Sequence, residues 1–351
     1  MANRTLTPGH PISRRRVLSG MLKTGLALGV GAAGGISLAS PRAVAGTPAK
    51  KDEVTLRLNF YVAGTQAPFY YGLVKGYFDQ ENIALTIGEG SGSAKTVQLV
   101  GNKSDTFGMA DPNSMALVKV KGMPVKAVAN LQSRGALGVI FLDDSPIKTI
   151  KDVEGKSLAV TPGDSLTQLW PAVVAANKLD ASKITLLSMT PAVKPVAVME
   201  RKVDALLGSV GDQALIIEAK GFKVRSILFA DVGVRLIGMC IVAHEDTLKE
   251  KPDLVRRFLR ATVRTFPEAL QNMDEVAAAV KKFKDGVNPE TIKQQLVVSA
   301  KFWYSAASKE PRFGWGEPKD WQDTLVMMQE YQKLEGSQPP EFFYTNEFFS
   351  K

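Results

Sequence analysis

The chain has 351 residues, with 44 lysines and arginines against 35 aspartates and glutamates, a formal charge of +9, and one cysteine. Six of the positive charges (Arg4, Arg14, Arg15, Arg16, Lys23 and Arg42) stand in the first 45 residues, which hold no acid, so the remainder carries only +3. That balance, with no basic run interleaved with aromatics, argues against nucleic acid as a partner, and a single cysteine excludes an intramolecular disulfide.

Residues 1–45 read as an export signal. Ser13-Arg-Arg-Arg16-Val17-Leu18 precedes a mildly apolar Gly/Ala-rich run, Gly25 to Leu38, and Ala43-Val44-Ala45 supplies a small-residue cleavage site. Adjacent arginines before a weak apolar region mark the twin-arginine type. Lys23 interrupts the apolar stretch, which is shorter than the ~18 residues a membrane span needs. The one cysteine, Cys240, lies far from the cleavage site and cannot be lipidated there, so the expected product is a soluble periplasmic protein without a lipid anchor.

Val54 to Phe60 then alternates apolar and polar residues as a strand does, and Ala67 to Gly76 has helical spacing with a terminal glycine. Ala84 to Ile87 is a second strand, and Gly88-Glu-Gly-Ser-Gly-Ser93 a loop whose serine is placed to cap a helix over 94–100. Thr106 to Ala110 is a third strand, and Asp111-Pro112 opens the next helix. Strands 125–131 and 137–142 follow. Further along, the order of signals repeats: a strand from Ser157, the loop Thr161-Pro-Gly163-Asp164-Ser165, a helix to Asn177, a strand from Ile184, a helix over 192–200, and a strand from Ala205. Lys103-Ser-Asp105 falls on Lys202-Val-Asp204, and Ile83–Ile87 on Ile184–Ser188. Strands alternating with helices predict parallel sheets. From Glu245 onward the pattern is helical, including an amphipathic stretch from Pro252 with Leu254, Phe258, Ala261 and Phe266 on one face.

The expected fold class is therefore α/β, two-lobed, with a ligand cleft between lobes and a helical C-terminal region. Residues 54–131 plus 238–351 form lobe one with the C-terminal helices, and 136–234 form lobe two. The crossings near Leu131–Gly138 and Asp231–Gly238 are the expected hinge.

Catalytic signatures are missing from the sequence. His10 lies in the signal, which leaves His244 at a strand-helix junction, where a histidine is most simply a capping or surface residue. Cys240 lies in the apolar run 236–242 and reads as a buried strand residue. There is no nucleophile elbow, no H-E-x-x-H and no phosphate-binding glycine loop. No metal site and no cofactor are expected. What the chain does offer is loops at the C-terminal ends of its strands, where open α/β sheets bind ligands, and helix N-termini that favour anionic or accepting groups. Asp111, Asp164 and Asp212 pull the other way: each either caps a helix or faces the ligand, which would then carry an amine or ring N–H. Tyr61, Phe69, Tyr70 and Trp170 are candidates to stack on a ring.

The run AGTQAPFYYGLVKGYFDQENIALTI, with GSGSAKTVQLVGNKSDTFGMADPNSMALVKVKGMPVKAVANL, resembles the periplasmic ABC-importer binding proteins for sulfonates, taurine, nitrate and thiamine-pyrimidine precursors. The resemblance extends through DVEGKSLAV to the C-terminal helices. It implies a monomeric binding protein that captures a small polar organic solute and delivers it to an inner-membrane ABC permease. It places the ligand against Tyr61, Gly64, Thr65 and Gln66, against Ser91, Gly92 and Ser93, and against Asp111, Asn113 and Ser114. Across the cleft it implies Gly163, Asp164, Ser165 and Asp212. Two other functions fit the same fold: an enzyme of pyrimidine synthesis, whose eukaryotic examples use a histidine and a reactive lysine, and a periplasmic sensor for a membrane receptor.

Overall fold

The computed structural model describes residues 50–349 apart from 309 and 311, so the signal expected over residues 1–45 lies outside the described residues. In chain order the first half comprises β1 (Asp52–Arg57), α1 (Ala67–Val74), α2 (Tyr77–Gln80), β2 (Ile83–Gly88), α3 (Ser93–Gly101), β3 (Phe107–Ala110), α4 (Pro112–Lys119) and β4 (Val125–Gln132). Then come β5 (Leu137–Leu142), β6 (Ser157–Val160), α5 (Ser165–Ala176), β7 (Thr185–Ser188), α6 (Val193–Met199), β8 (Ala205–Ser209), α7 (Gln213–Glu218), β9 (Val224–Leu228) and β10 (Met239–His244). The remainder is helical: α8 (Glu245–Glu250), α9 (Pro252–Gln271), α10 (Met273–Phe283), α11 (Pro289–Ala300), α12 (Pro318–Gln332) and α13 (Pro340–Phe343).

These elements make two five-stranded sheets, β2-β1-β3-β10-β4 and β7-β6-β8-β5-β9. Parallel pairing, expected from the strand-helix alternation, holds for three strands of each sheet. The fourth strand runs antiparallel to both its neighbours, because it arrives from the other sheet. β5 leaves β4 and inserts between β8 and β9, while β10 leaves lobe two and inserts between β3 and β4. The exchange leaves two short crossings, 133–136 and 229–238, which run side by side; Gly238 N donates to Gln132 O at 2.8 Å.

The repeat is visible in matching hydrogen bonds. Thr55 and Thr106 exchange backbone N–H to hydroxyl bonds at the start of β1 and β3 (3.2 and 2.8 Å). Ser157 and Asp204 make the equivalent reciprocal pair in lobe two, with the Asp204 carboxylate in place of one hydroxyl (2.8 and 3.0 Å). With Leu56 opposite Phe107 and Leu158 opposite Ala205, Thr106 falls on Asp204, and Asp105 on Val203. The register read from sequence is therefore one residue out at this strand. It is two out at β2, where Leu85, not Ile83, falls on Ile184. The turns into β3 and β8 are equally long, but α3 has 9 residues where α6 has 7, and the turn into β7 is longer than that into β2, so acidic residues matched by type rather than by position.

The helical C-terminus covers lobe one and returns to lobe two. On α9, Leu254, Phe258, Ala261 and Phe266 are buried, with the Phe258 ring stacked on Phe107 at 4.0 Å. α12 packs on α5 of lobe two. The aromatic tail folds back: Tyr344 stacks on Trp321 at 5.0 Å and pairs with Ala127 beside β4, and Phe348 is buried in the lobe-one core. Among the described residues no helix is long and apolar enough to cross a membrane.

Candidate ligand-binding site

Between the lobes, at the loops that follow β1, β2, β6 and β8, lies a cavity of about 60 Å³. At roughly 10–15 Å³ per water, that is space for a few small groups. The lobes meet at its rim. A Cβ on Gly92, whose φ is +136°, would stand 2.9 Å from Gly163 O, so only glycine permits this approach. Ser114 Oγ lies 3.4 Å from Gln168 Oε1 across the gap.

Lobe one presents neutral groups to the cavity: Asn59, Phe60, Thr65, Gln66, Gly92 and Ser93. They are held by the turn after β1, where Gln66 Oε1 accepts from Ala63 N (3.2 Å) and Gln66 Nε2 donates to Asn59 (3.0 Å). Ser93 is the first residue of α3 rather than its cap, and its hydroxyl accepts from Asp111 N at 3.2 Å. The charged groups come from lobe two: Asp164, Lys194 and Asp212, together with Ser165, Ser209 and Gln213.

The three candidate aspartates separate cleanly. Asp111 caps α4, accepting from Ser114 N (2.8 Å) and Ser114 Oγ (2.9 Å). Asp164 caps α5, accepting from Thr167 N (2.8 Å). Asp212 precedes α7 but makes no side-chain cap bond, and its buried Oδ1 has no hydrogen-bond partner among the described residues. Burial pushes its pKa up to about 7, against the pull of the Ser209 and Thr65 hydroxyls. Burial, with the Asp212 carboxyl nearby, also raises the pKa of the Tyr61 phenol.

Lys194, which sequence reading missed, is wholly buried on α6, with Nζ 2.8 Å from Leu207 O and 3.4 Å from Asp164 Oδ2. Burial lowers its pKa, and Asp164 opposes that shift. A buried ammonium needs such partners, and these two acceptors engage two of its three protons. The only sequence signal was a lysine inside the apolar run PAVKPVAV, where a solvated side chain is out of place.

Of the fourteen residues expected at the ligand, Thr65, Gln66, Gly92, Ser93, Asp164, Ser165 and Asp212 line this cavity. Asp111 and Asn113 line a smaller neighbouring one. Tyr61 sits beside Phe60 with ring centres 4.6 Å apart, and it is Phe60 that faces the cavity. Gly64 is set against α11, where its N–H donates to Gln295 Oε1 at 2.9 Å and a Cβ would meet Leu296 N at 2.3 Å. Gln295 Nε2 in turn donates to Asp212 O (3.3 Å), so α11 ties the two lobes. Ser91 is exposed, Gly163 lies exposed at the rim, and Ser114 lines neither cavity. Phe69, Tyr70 and Trp170 are buried against Phe266, Phe283 and Phe229. His244 Nδ1 accepts from Asp246 N as the cap of α8 (3.0 Å), and Cys240 is buried in β10.

Comparison with known proteins agrees with this architecture. Over 304 residues the chain is 24% identical to the riboflavin-binding protein RibY of Chloroflexus aurantiacus, covering 84% of this chain and 86% of that one. It is 25% identical over 226 residues to the 4-amino-5-hydroxymethyl-2-methylpyrimidine phosphate synthase of Legionella pneumophila, with 61% and 68% covered. Its fold is similar to the alkanesulfonate-binding protein SsuA of Xanthomonas axonopodis pv. citri bound to MOPS, with TM-score 0.66 and 15% identity over 85% of this chain and 99% of that one. The fold is thus that of the solute-binding proteins of ABC importers. Residues 64–276 match the family model described as NMT1/THI5 like, and the chain belongs to that family.

Proposed function

We propose that this protein is the substrate-binding component of an ABC importer, exported to the periplasm through the twin-arginine signal of its first 45 residues. It captures a small polar organic solute of sulfonate, carboxylate or heterocycle type between its lobes and hands it to an inner-membrane permease. The observation that carries this reading is the inter-lobe cavity, lined by Lys194, in which Asp212 holds an unpartnered carboxyl oxygen. A solute that places a donor on Asp212 and an acceptor on Lys194 satisfies both groups only when the lobes are shut around it. It therefore binds the closed form more tightly than the open one and draws the population toward closure.

Pyrimidine synthesis, the activity named for several relatives, fits these residues less well. Among the described residues no histidine lines the cavity, and the carboxyls of Asp164 and Asp212 share the space with Lys194, a poor lining for the phosphate ester of pyridoxal phosphate. A thermal-shift screen over sulfonates, nitrate, aromatic acids, pyrimidines and flavins tests the reading, followed by small-angle scattering with the best solute. We expect a raised melting temperature and a smaller radius of gyration on binding. A screen in which no solute raises the melting temperature rejects the importer role.

A further inference from the structure

A second opening lies on the far side of Leu137, whose side chain lines both cavities. Asp111 and Asn113 bound it from lobe one, Leu169 from lobe two, and Phe229 and Ile237 from the second crossing. In this arrangement it measures about 10 Å³, close to the space of one water. Its walls belong to both lobes and to the segment between them, so its volume is set by how far apart the lobes stand, and lobes shut around a solute seated here stand further apart than in this arrangement.

One side chain in it is out of keeping with a packed interior. Asn113 is 2% exposed, yet neither its Nδ2 nor its Oδ1 has a hydrogen-bond partner among the described residues. Buried amides are almost always paired, because the water they give up is otherwise not replaced. Its neighbour Asp111 turns both oxygens to Ser114 and makes no bond to the amide. A carboxamide presents one donor and one acceptor side by side in a plane. Its complement is an edge with a C=O next to an N–H, the geometry by which asparagine reads a base edge. The apolar side chains of Leu137, Leu169, Phe229 and Ile237 suit the faces of the ring that carries such an edge.

We propose that Asn113 reads the amide-type edge, lactam or imide, of a ring on the transported solute, whose polar remainder lies beyond Leu137 against Asp212 and Lys194. This assignment rests on the solute-binding reading above and adds a specificity residue to it. Calorimetric titration tests it with three probes: riboflavin, which joins an imide-edged ring to a polyol; 3-methylriboflavin, in which the edge N–H is blocked; and ribitol, which has no ring. Riboflavin should bind, and methylation should weaken it by at least about tenfold, the effect of losing one bidentate contact. Asn113→Leu and Asn113→Asp should bring riboflavin down to the level of the methylated probe while changing that probe little. Ligand-free Asn113→Leu should melt no lower than wild type, since it removes an unpaired amide rather than a bond.

Equal binding of riboflavin and 3-methylriboflavin by the unaltered protein overturns the assignment without recourse to any variant. So does riboflavin affinity that stays within twofold in both variants, which would mark Asn113 as the seat of a bound water only. Tight binding of taurine or nitrate with none of riboflavin defeats the ring edge and leaves the importer reading standing. No melting shift with any solute defeats both.

Discussion

The two lobes are the same sheet built twice and finished differently. In lobe one, α9 and α10 lie over α1, and arginines on α9 clasp the β1–β2 edge. Arg257 bonds Asp52 (2.6 Å) and Glu81 O (2.8 Å), and Arg260 bonds Glu81 (2.7 Å). In lobe two the corresponding edge strand, β7, is exposed at all four residues. Leu186, Leu187, Val193 and Val196 stand exposed along it and on α6. The cavity shows the reverse asymmetry. The heavily covered lobe supplies neutral amides and hydroxyls, and the lightly covered one supplies Asp164, Lys194 and Asp212. Lobe one is thus a buttressed wall, and lobe two carries the charges that must be desolvated when the lobes meet.

The largest effect should come from the buttress. Phe258→Ala removes a ring that is fully buried and stacked on Phe107, and should cost about 3–5 kcal/mol in urea unfolding. A cost below about 1 kcal/mol would mean that α9 is not what completes lobe one.

Asp212 should give the next effect, and its sign is opposite to that of a salt-bridged carboxylate. A carboxyl whose pKa rises from 3.8 unfolded to about 7 folded binds more protons in the native state between those values. Its contribution is therefore present below pH 4 and lost as pH rises through 7. Three pH units at 1.36 kcal/mol each set an upper bound of roughly 4 kcal/mol. Asp212→Asn should accordingly gain stability relative to wild type as pH is raised from 5 to 8, measured as the difference between their unfolding free energies. Parallel pH profiles would show that Asp212 is not desolvated in the ligand-free protein.

These contrasts mark how far sequence reading went. Strand and helix order, the repeat and the C-terminal amphipathic faces were legible because periodicity records which face is buried. Half of the expected ligand residues reached the cavity because loops at strand ends converge by topology. Lys194 escaped notice because it is the second residue of α6, where a lysine is usually solvated, and its burial depends on Asp164, thirty positions away. Nor does any local pattern distinguish Asp212 from Asp111 and Asp164. All three precede a helix, and only the backbone at Asp212 (φ −126°, ψ −71°) turns its carboxyl off the cap. Gly64 looked like a ligand loop glycine, but the helix it must admit, α11, lies more than two hundred residues on.

The smallest effect probes the bare edge. Leu186 and Ile87 occupy equivalent positions, each opposite the leucine of the strand beside it, Leu158 in β6 and Leu56 in β1. Ile87 is partly buried and packs on the lobe-one core, whereas Leu186 is 42% exposed. Burying an aliphatic side chain contributes about 1.5–3 kcal/mol when complete, so Ile87→Ser should cost roughly 1–2 kcal/mol. Leu186→Ser should stay within about 0.5 kcal/mol, as surface exchanges do. Chemical unfolding of both variants measures the difference directly. If Leu186→Ser proves the costlier, β7 is covered in solution by something packed against it, and the contrast between a buttressed and a bare lobe fails at this edge.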